Sequence, residues 1–249
     1  MLIDPQNSPP PQRFAENLAG IQARIQAAVG ESGRSVEQIT LVGASKGQPA
    51  AVLELALNAG LRDFGESYVQ EALPKMAALA ARTPIWHFIG ALQANKTRAV
   101  AENFAWVHTV ERLRIAERLS EQRPFHAPPL NICVQVNIGG EGSKAGVEPI
   151  ALRQLLREIA PLPRLTVRGL MCLPPPAVDR ARQRYWLHQL RELFESVNAD
   201  GAGLDTLSMG MSSDLEAAVH EGATMLRIGT ALFGPRVARP SPSHIQSTR

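Results

Sequence analysis

ITLVGASKGQPAAVLELALNAGLRDF, residues 39–64, holds one full period of the pattern that decides the fold. Ile39–Ala44 is a short apolar run rich in β-branched residues, which reads as a strand. Pro49–Ala59 reads as a helix, with proline near its start and Gly60 just past its end. Leu61–Phe64 is the next strand. A strand, a helix and a second strand make a parallel pair joined by a crossover. The turn after the first strand is Ser45-Lys46-Gly47, without the G-x-G-x-x-G spacing of a dinucleotide-binding sheet.

The same alternation continues downstream. A helix over Glu66–Ala80 leads to a strand at Ile85–Ile89 and a helix near Lys96–Glu102. Strands at Trp106–Val110 and Leu130–Ile138 are followed by helices at Glu111–Gln122 and Pro149–Ala160. A strand at Leu165–Cys172 precedes a long helix, Val178–Val197. Strands at Leu204–Met209 and Met225–Ile228 precede a helix at Ser212–His220 and a last turn at Ala231–Phe233. Upstream, Phe14, Leu18, Ile21 and Ile25 form one apolar stripe at helical spacing. Eight β-then-α units predict an α/β fold, a single (β/α)8 TIM barrel with an extra N-terminal helix; an open doubly wound sheet is the alternative. The barrel is expected over residues 13–236, between a flexible proline-rich segment, 1–12, and a flexible tail, 237–249.

Composition narrows the function. The chain has 249 residues, 45% hydrophobic and 20% charged, enough to bury a real core. Cys133 and Cys172 lie inside apolar runs, so free buried thiols and a reducing, cytoplasmic compartment are expected. A net charge of +3 without a basic stripe argues against nucleic acid. No run reaches the length of a membrane span, and the opening residues lack a signal-peptide pattern.

In a barrel of this kind chemistry collects at the carboxyl ends of the strands, and phosphate often sits after strands seven and eight. The loop after strand seven is Ser208-Met209-Gly210-Met211-Ser212-Ser213-Asp214, and the segment after strand eight is Arg227-Ile228-Gly229-Thr230. Small and hydroxylated residues there suit an anion cradle; turn-making, with Ser212 or Ser213 as an N-cap, is the other reading. Lys46 ends the first strand, where a desolvated amine can form a Schiff base; an ordinary surface lysine is the alternative. His87 reads equally as a hydrogen-bonded interior histidine or as one near the site. The histidines share no zinc-ligand spacing. Asn137 is placed at the mouth or in a turn, and Lys144 in a glycine-rich loop.

Six ordered blocks carry a resemblance: LVGASKGQP, DFGESYVQE, WHFIGALQANK, VQVNIGGEGSKAG, RGLMC and LSMGMSSDLEAAVHEGATMLRIGTALFG. They resemble the pyridoxal-phosphate homeostasis proteins, the proline-synthetase co-transcribed family, from about residue 14 to 236. The resemblance implies a barrel like the N-terminal domain of alanine racemase that holds pyridoxal 5′-phosphate (PLP) on Lys46. It places Ser208, Gly229 and Thr230 around the phosphate, with Met209, Gly210 and Ser212 in the adjoining loop, and Arg227 near the pyridine nitrogen. The chain departs from the family pattern at Gly47 and Gln48, which removes a second lysine, and at Ser67, Ala91, Ala94, Thr109, Val110 and Glu111.

Arginine only donates hydrogen bonds, so Arg227 should leave the pyridine nitrogen unprotonated and the electron sink weak. A racemase also needs an opposing acid–base group. Tyr68 and Tyr185 are the only tyrosines, and each reads better as a packing or capping residue. The expectation is a monomeric, non-catalytic carrier that binds and releases PLP, with apo PLP-dependent enzymes as recipients. A PLP-dependent amino-acid racemase and a cofactor-free aldolase using Lys46 are the alternatives.

Overall fold

The computed structural model describes residues 10–140 and 145–234, so the expectations for Lys144 and for the tail lie outside the described residues. Helix α1 (Pro10–Glu31) buries Phe14, Leu18, Ile21 and Ile25, the stripe read from the sequence. Then follow β1 (Thr40–Ala44), α2 (Ala50–Asn58), β2 (Asp63–Glu66), α3 (Val69–Ala78), β3 (Ile85–Phe88), α4 (Thr97–Asn103), β4 (Trp106–Val110) and α5 (Leu113–Gln122). The second half supplies β5 (Leu130–Gln135), α6 (Leu152–Ile159), β6 (Leu165–Met171), α7 (Arg180–Ala199), β7 (Thr206–Ser208), α8 (Leu215–His220), β8 (Met225–Ile228) and α9 (Thr230–Phe233).

All neighbouring strands pair in parallel, and β1 pairs with both β2 and β8, which closes the sheet into an eight-stranded barrel. The closing register sets Val42 beside Arg227 and Gly43 beside Ile228. Between strands and helices lies the large apolar layer, including Leu53, Phe64, Phe88, Ile115, Leu119 and Ile159. Inside the barrel Trp106, Cys133, Met171 and Met225 form a separate cluster. Cys133 and Cys172 are free and buried, and burial pushes both thiols up to about 12. Among the described residues no helix is long and apolar enough to cross a membrane.

Three boundaries move for identifiable reasons. Strand β2 starts at Asp63, not Leu61, because the Leu61 amide still bonds Ala56 at the exit of α2. Strand β5 stops at Gln135 because the chain folds back, with Val147 bonding Gln135 and Asn137 bonding Val147. Helix α8 starts at Leu215, because the Asp214 carboxylate first accepts the Met211 amide at 2.6 Å and closes a turn. Asp214, and neither Ser212 nor Ser213, is the N-cap position.

Candidate functional site

Closure of the barrel brings the first and last strand ends together. Lys46 lies just past β1 and Gly229 just past β8, and a cleft there is lined by Ala44, Lys46, Gln48, Gly229, Thr230 and Gly234. One primary amine, one hydroxyl and one side-chain amide thus face a common space whose lining carries no carboxylate. Gln48, where the family pattern has a lysine, is almost wholly buried in that wall. The Lys46 side chain is half-buried.

The peptide carrying Lys46 is clamped from behind. Lys75 of α3 is buried and donates to the Ser45 carbonyl at 3.0 Å, to Glu66 at 2.8 Å and to Glu71 at 2.7 Å. Glu66 also accepts the Ser45 hydroxyl at 2.6 Å, and Glu71 accepts the Gly47 amide. The residues on both sides of Lys46 therefore hang on one buried ion triad. Burial outweighs these bonds at Glu66 and moves its carboxyl up from the ordinary range. Sequence reading missed the triad, whose only local trace is the i,i+4 spacing of Glu71 and Lys75. Replacing Lys75 by methionine strands a buried carboxylate, so we expect a loss of about 3–5 kcal/mol in urea unfolding. A change below 1 kcal/mol would show that the triad carries little of the local stability.

A second polar system crosses the barrel interior. His87 contacts Asp63 through Nε2 and His108 through Nδ1, both at 2.9 Å. His108 Nδ1 lies 2.7 Å from the Ser208 hydroxyl, which accepts a bond from Arg227 at 2.6 Å. Arg227 also donates to the Cys172 carbonyl at 2.9 Å. His87 is thus an interior, hydrogen-bonded histidine, stacked on Trp106. Ser208 ends β7 with its side chain on the inner face, and its buried hydroxyl meets His108 and Arg227.

Burial lowers the pKa of His87, and burial with the nearby His87 and Arg227 lowers that of His108 well below the ordinary value. Both stay neutral in the fold and gain a proton more readily when unfolded. Stability is then complete above about pH 6.5 and falls as the pH drops below it, by up to about 1.4 kcal/mol per pH unit per histidine. Urea midpoints at pH 7.5 and 5.0 test this; an equal or higher midpoint in acid would contradict it.

The loop after β7 is fixed by its neighbours. Met209 is buried in the apolar layer. Gly210 adopts φ +95°, and a Cβ there would meet Ala218 at 2.5 Å and Leu226 at 2.7 Å, so glycine is required. Arg24 of α1 donates to the Ser212 carbonyl at 3.0 Å while paired with Glu216 at 2.6 Å, so the extra helix braces this loop. Two family departures are accommodated nearby. Thr109 donates to the Gly90 carbonyl at 2.7 Å, and Glu111 accepts the Gly146 amide at 3.0 Å. Asn137 donates to Glu148 at 3.2 Å. Tyr68 is 59% exposed, and Tyr185 is exposed on α7 against Trp186.

A closed parallel barrel with a clamped lysine after β1, facing the residues after β8, defines an alanine-racemase-like barrel. The family model for the alanine racemase N-terminal domain matches residues 17–237. The chain belongs to this family and, within it, to the pyridoxal phosphate homeostasis proteins. It is 55% identical over 223 residues to the pyridoxal phosphate homeostasis protein of Pseudomonas aeruginosa, covering 90% of this chain and 96% of that one. The protein of the same name from Escherichia coli K12 is 48% identical, over 90% of this chain and 97% of its own. The structure of PipY of Synechococcus elongatus with PLP bound has a TM-score of 0.78 at 35% identity, covering 89% of this chain and all, 100%, of that one. Alanine racemase of Clostridium difficile, at 15% identity and a TM-score of 0.72 over 93% of this chain and 62% of that one, shares the fold.

Proposed function

We propose that this protein binds and releases PLP in the cytoplasm, with Lys46 as the covalent anchor, and performs little or no catalysis. The observation that carries the reading is the meeting of Lys46 with Gly229 and Thr230 in one cleft, in a chain whose relative PipY was solved with PLP bound. The donor set fits the group. An amine answers the aldehyde, and the small Gly229 beside the Thr230 hydroxyl, with the Met209–Ser212 loop, suits the phosphate. When bound, PLP supplies an aldehyde for the amine and an electron-withdrawing ring.

The chain's own residues set how that ring is used. The Lys75 triad fixes the peptide on both sides of Lys46, so the amine is presented from a rigid base. Arg227, held by Ser208 and the Cys172 carbonyl, would offer the ring nitrogen a donor and no acceptor. Ser208 serves from inside the barrel by holding Arg227, which leaves Thr230 as the hydroxyl for the phosphate. Tyr68 and Tyr185 are both exposed, which supports a packing or surface role for each and a site without an opposing base. We infer a carrier that hands PLP to apo enzymes.

The purified protein should be yellow, lose that absorbance on borohydride reduction, and restore activity to an apo PLP enzyme. Colourless protein that takes up no added PLP would refute the reading. Thr230→Ala should weaken PLP binding by about 10- to 100-fold, since a hydrogen bond to a charged group contributes about 1.5–3 kcal/mol. Pyridoxal, without the phosphate, should lose little; equal losses for both ligands would remove Thr230 from the cradle.

A further inference from the structure

We propose that Asp63, His87 and His108 form a polarised relay of positioning residues that orients Arg227 from the opposite end of the barrel. This rests on the reading above only in what Arg227 faces; the relay itself is read from the fold. Asp63 opens β2 at the amino-terminal end of the barrel, with its side chain 20% exposed. His87, His108 and Ser208 are fully buried, and Arg227 nearly so. They come from β3, β4, β7 and β8 and connect in one line, with contacts of 2.9, 2.9, 2.7 and 2.6 Å.

The chemistry of the two ends dictates the direction of every bond. Arginine only donates, so Ser208 Oγ accepts from Arg227. The Ser208 proton then goes to His108 Nδ1, its one available acceptor among the described residues. His108 therefore carries its proton on Nε2 and donates it to His87 Nδ1. His87 in turn carries its proton on Nε2 and donates it to the Asp63 carboxylate, which as an ion only accepts. No donor meets a donor along the line. Reversing it would require a protonated, partly exposed Asp63 and a buried Ser208 proton with nowhere to go.

Both imidazoles are consequently held neutral in one tautomer, consistent with the lowered pKa of each. His87 is kept from rotating by stacking on Trp106 at 5.7 Å, and Trp106 in turn lies under the Arg168 guanidinium at 5.0 Å. Arg227 has no carboxylate within 4.0 Å among the described residues. Asp214 acts on its buried charge from beyond that distance, and three polarised neutral groups connect the guanidinium to the Asp63 carboxylate. With Nη1 fixed by Ser208 and Nη2 by the Cys172 carbonyl, the guanidinium plane is set.

Two arms test this. In the unmodified, PLP-free protein, long-range 15N NMR should find His87 and His108 neutral, protonated on Nε2, from pH 5.5 to 8. A proton on Nδ1 of either, or titration at or above the ordinary value of about 6.5, would overturn the relay. In the PLP-loaded protein, His108→Leu and Asp63→Leu should each raise the dissociation constant about tenfold, whereas Asp63→Asn, whose amide oxygen still accepts, should stay within about threefold. Leucine variants that hold PLP like the unmodified protein, or an asparagine variant as weak as Asp63→Leu, would overturn it as well. Should His108→Leu not fold, Asp63→Leu at the partly exposed end still decides. If the unmodified protein takes up no PLP, the proposed function fails while the NMR arm still judges the relay.

Discussion

Borohydride reduction of the PLP-loaded protein is expected to leave the pyridoxyl group on Lys46, and Lys46→Ala is expected to remove both the colour and at least about 100-fold of the affinity. The chain has four lysines, at 46, 75, 96 and 144, which makes the competition explicit. Lys75 is buried with its three donors committed to Ser45, Glu66 and Glu71, so its amine is occupied in holding the fold. Lys96 ends a single 3-10 turn, Ala94–Lys96, after β3, away from the junction of β1 and β8. Lys46 alone among the described lysines lines the cleft with Gly229 and Thr230. A 100-fold loss corresponds to about 2.7 kcal/mol, the difference between a covalent anchor and the remaining phosphate and ring contacts. Peptide mapping settles the site: pyridoxyl found mainly on Lys96 or Lys144 would remove Lys46 as the anchor.

The barrel was legible because its evidence is local. Each strand and helix announces itself within ten residues through period and punctuation, and eight repetitions leave few ways to bury every apolar face. Lys46, Gly229 and Thr230 were legible for a related reason: in a closed barrel the end of any strand is a predictable place. The boundaries that shifted depend on tertiary bonds, such as Asp214 capturing the Met211 amide before α8 can start. What stayed hidden is contact between distant strands. His87 and His108 look like unrelated histidines until β3 and β4 are set side by side, and Ser208 lies a hundred positions further on. Periodicity says that alternate side chains enter the barrel; it cannot say which polar ones touch there. The Lys75 triad was hidden in the same way, since a lysine inside Val69–Ala78 reads as a solvated helix face until Glu66 is placed beneath it.

The functional reading turns on how little the site does to a substrate carbon. A group that only donates to the ring nitrogen leaves that nitrogen without a proton, and the ring then withdraws electrons weakly. In the proposed reading Arg227 is such a group, and both of its fixed bonds go to oxygen acceptors on the protein. Removing an α-proton also requires a base opposite the lysine, which in the proposed reading neither exposed Tyr68 nor exposed Tyr185 supplies. Incubation of the PLP-loaded protein with L-alanine in deuterated water should therefore give little deuterium at the α-carbon, far below the level an active racemase reaches. Arg227→Glu places a carboxylate where it can keep the ring nitrogen protonated. It also cuts the line from Ser208, so affinity should fall, but exchange per bound PLP should rise by about tenfold or more, a barrier change of about 1.4 kcal/mol. Measuring exchange per bound cofactor separates the two effects, because lost occupancy then cannot mask a stronger sink. Rapid exchange by the unmodified protein would make it an enzyme. An Arg227→Glu variant that binds PLP yet exchanges no faster would show that the arginine does not set the sink.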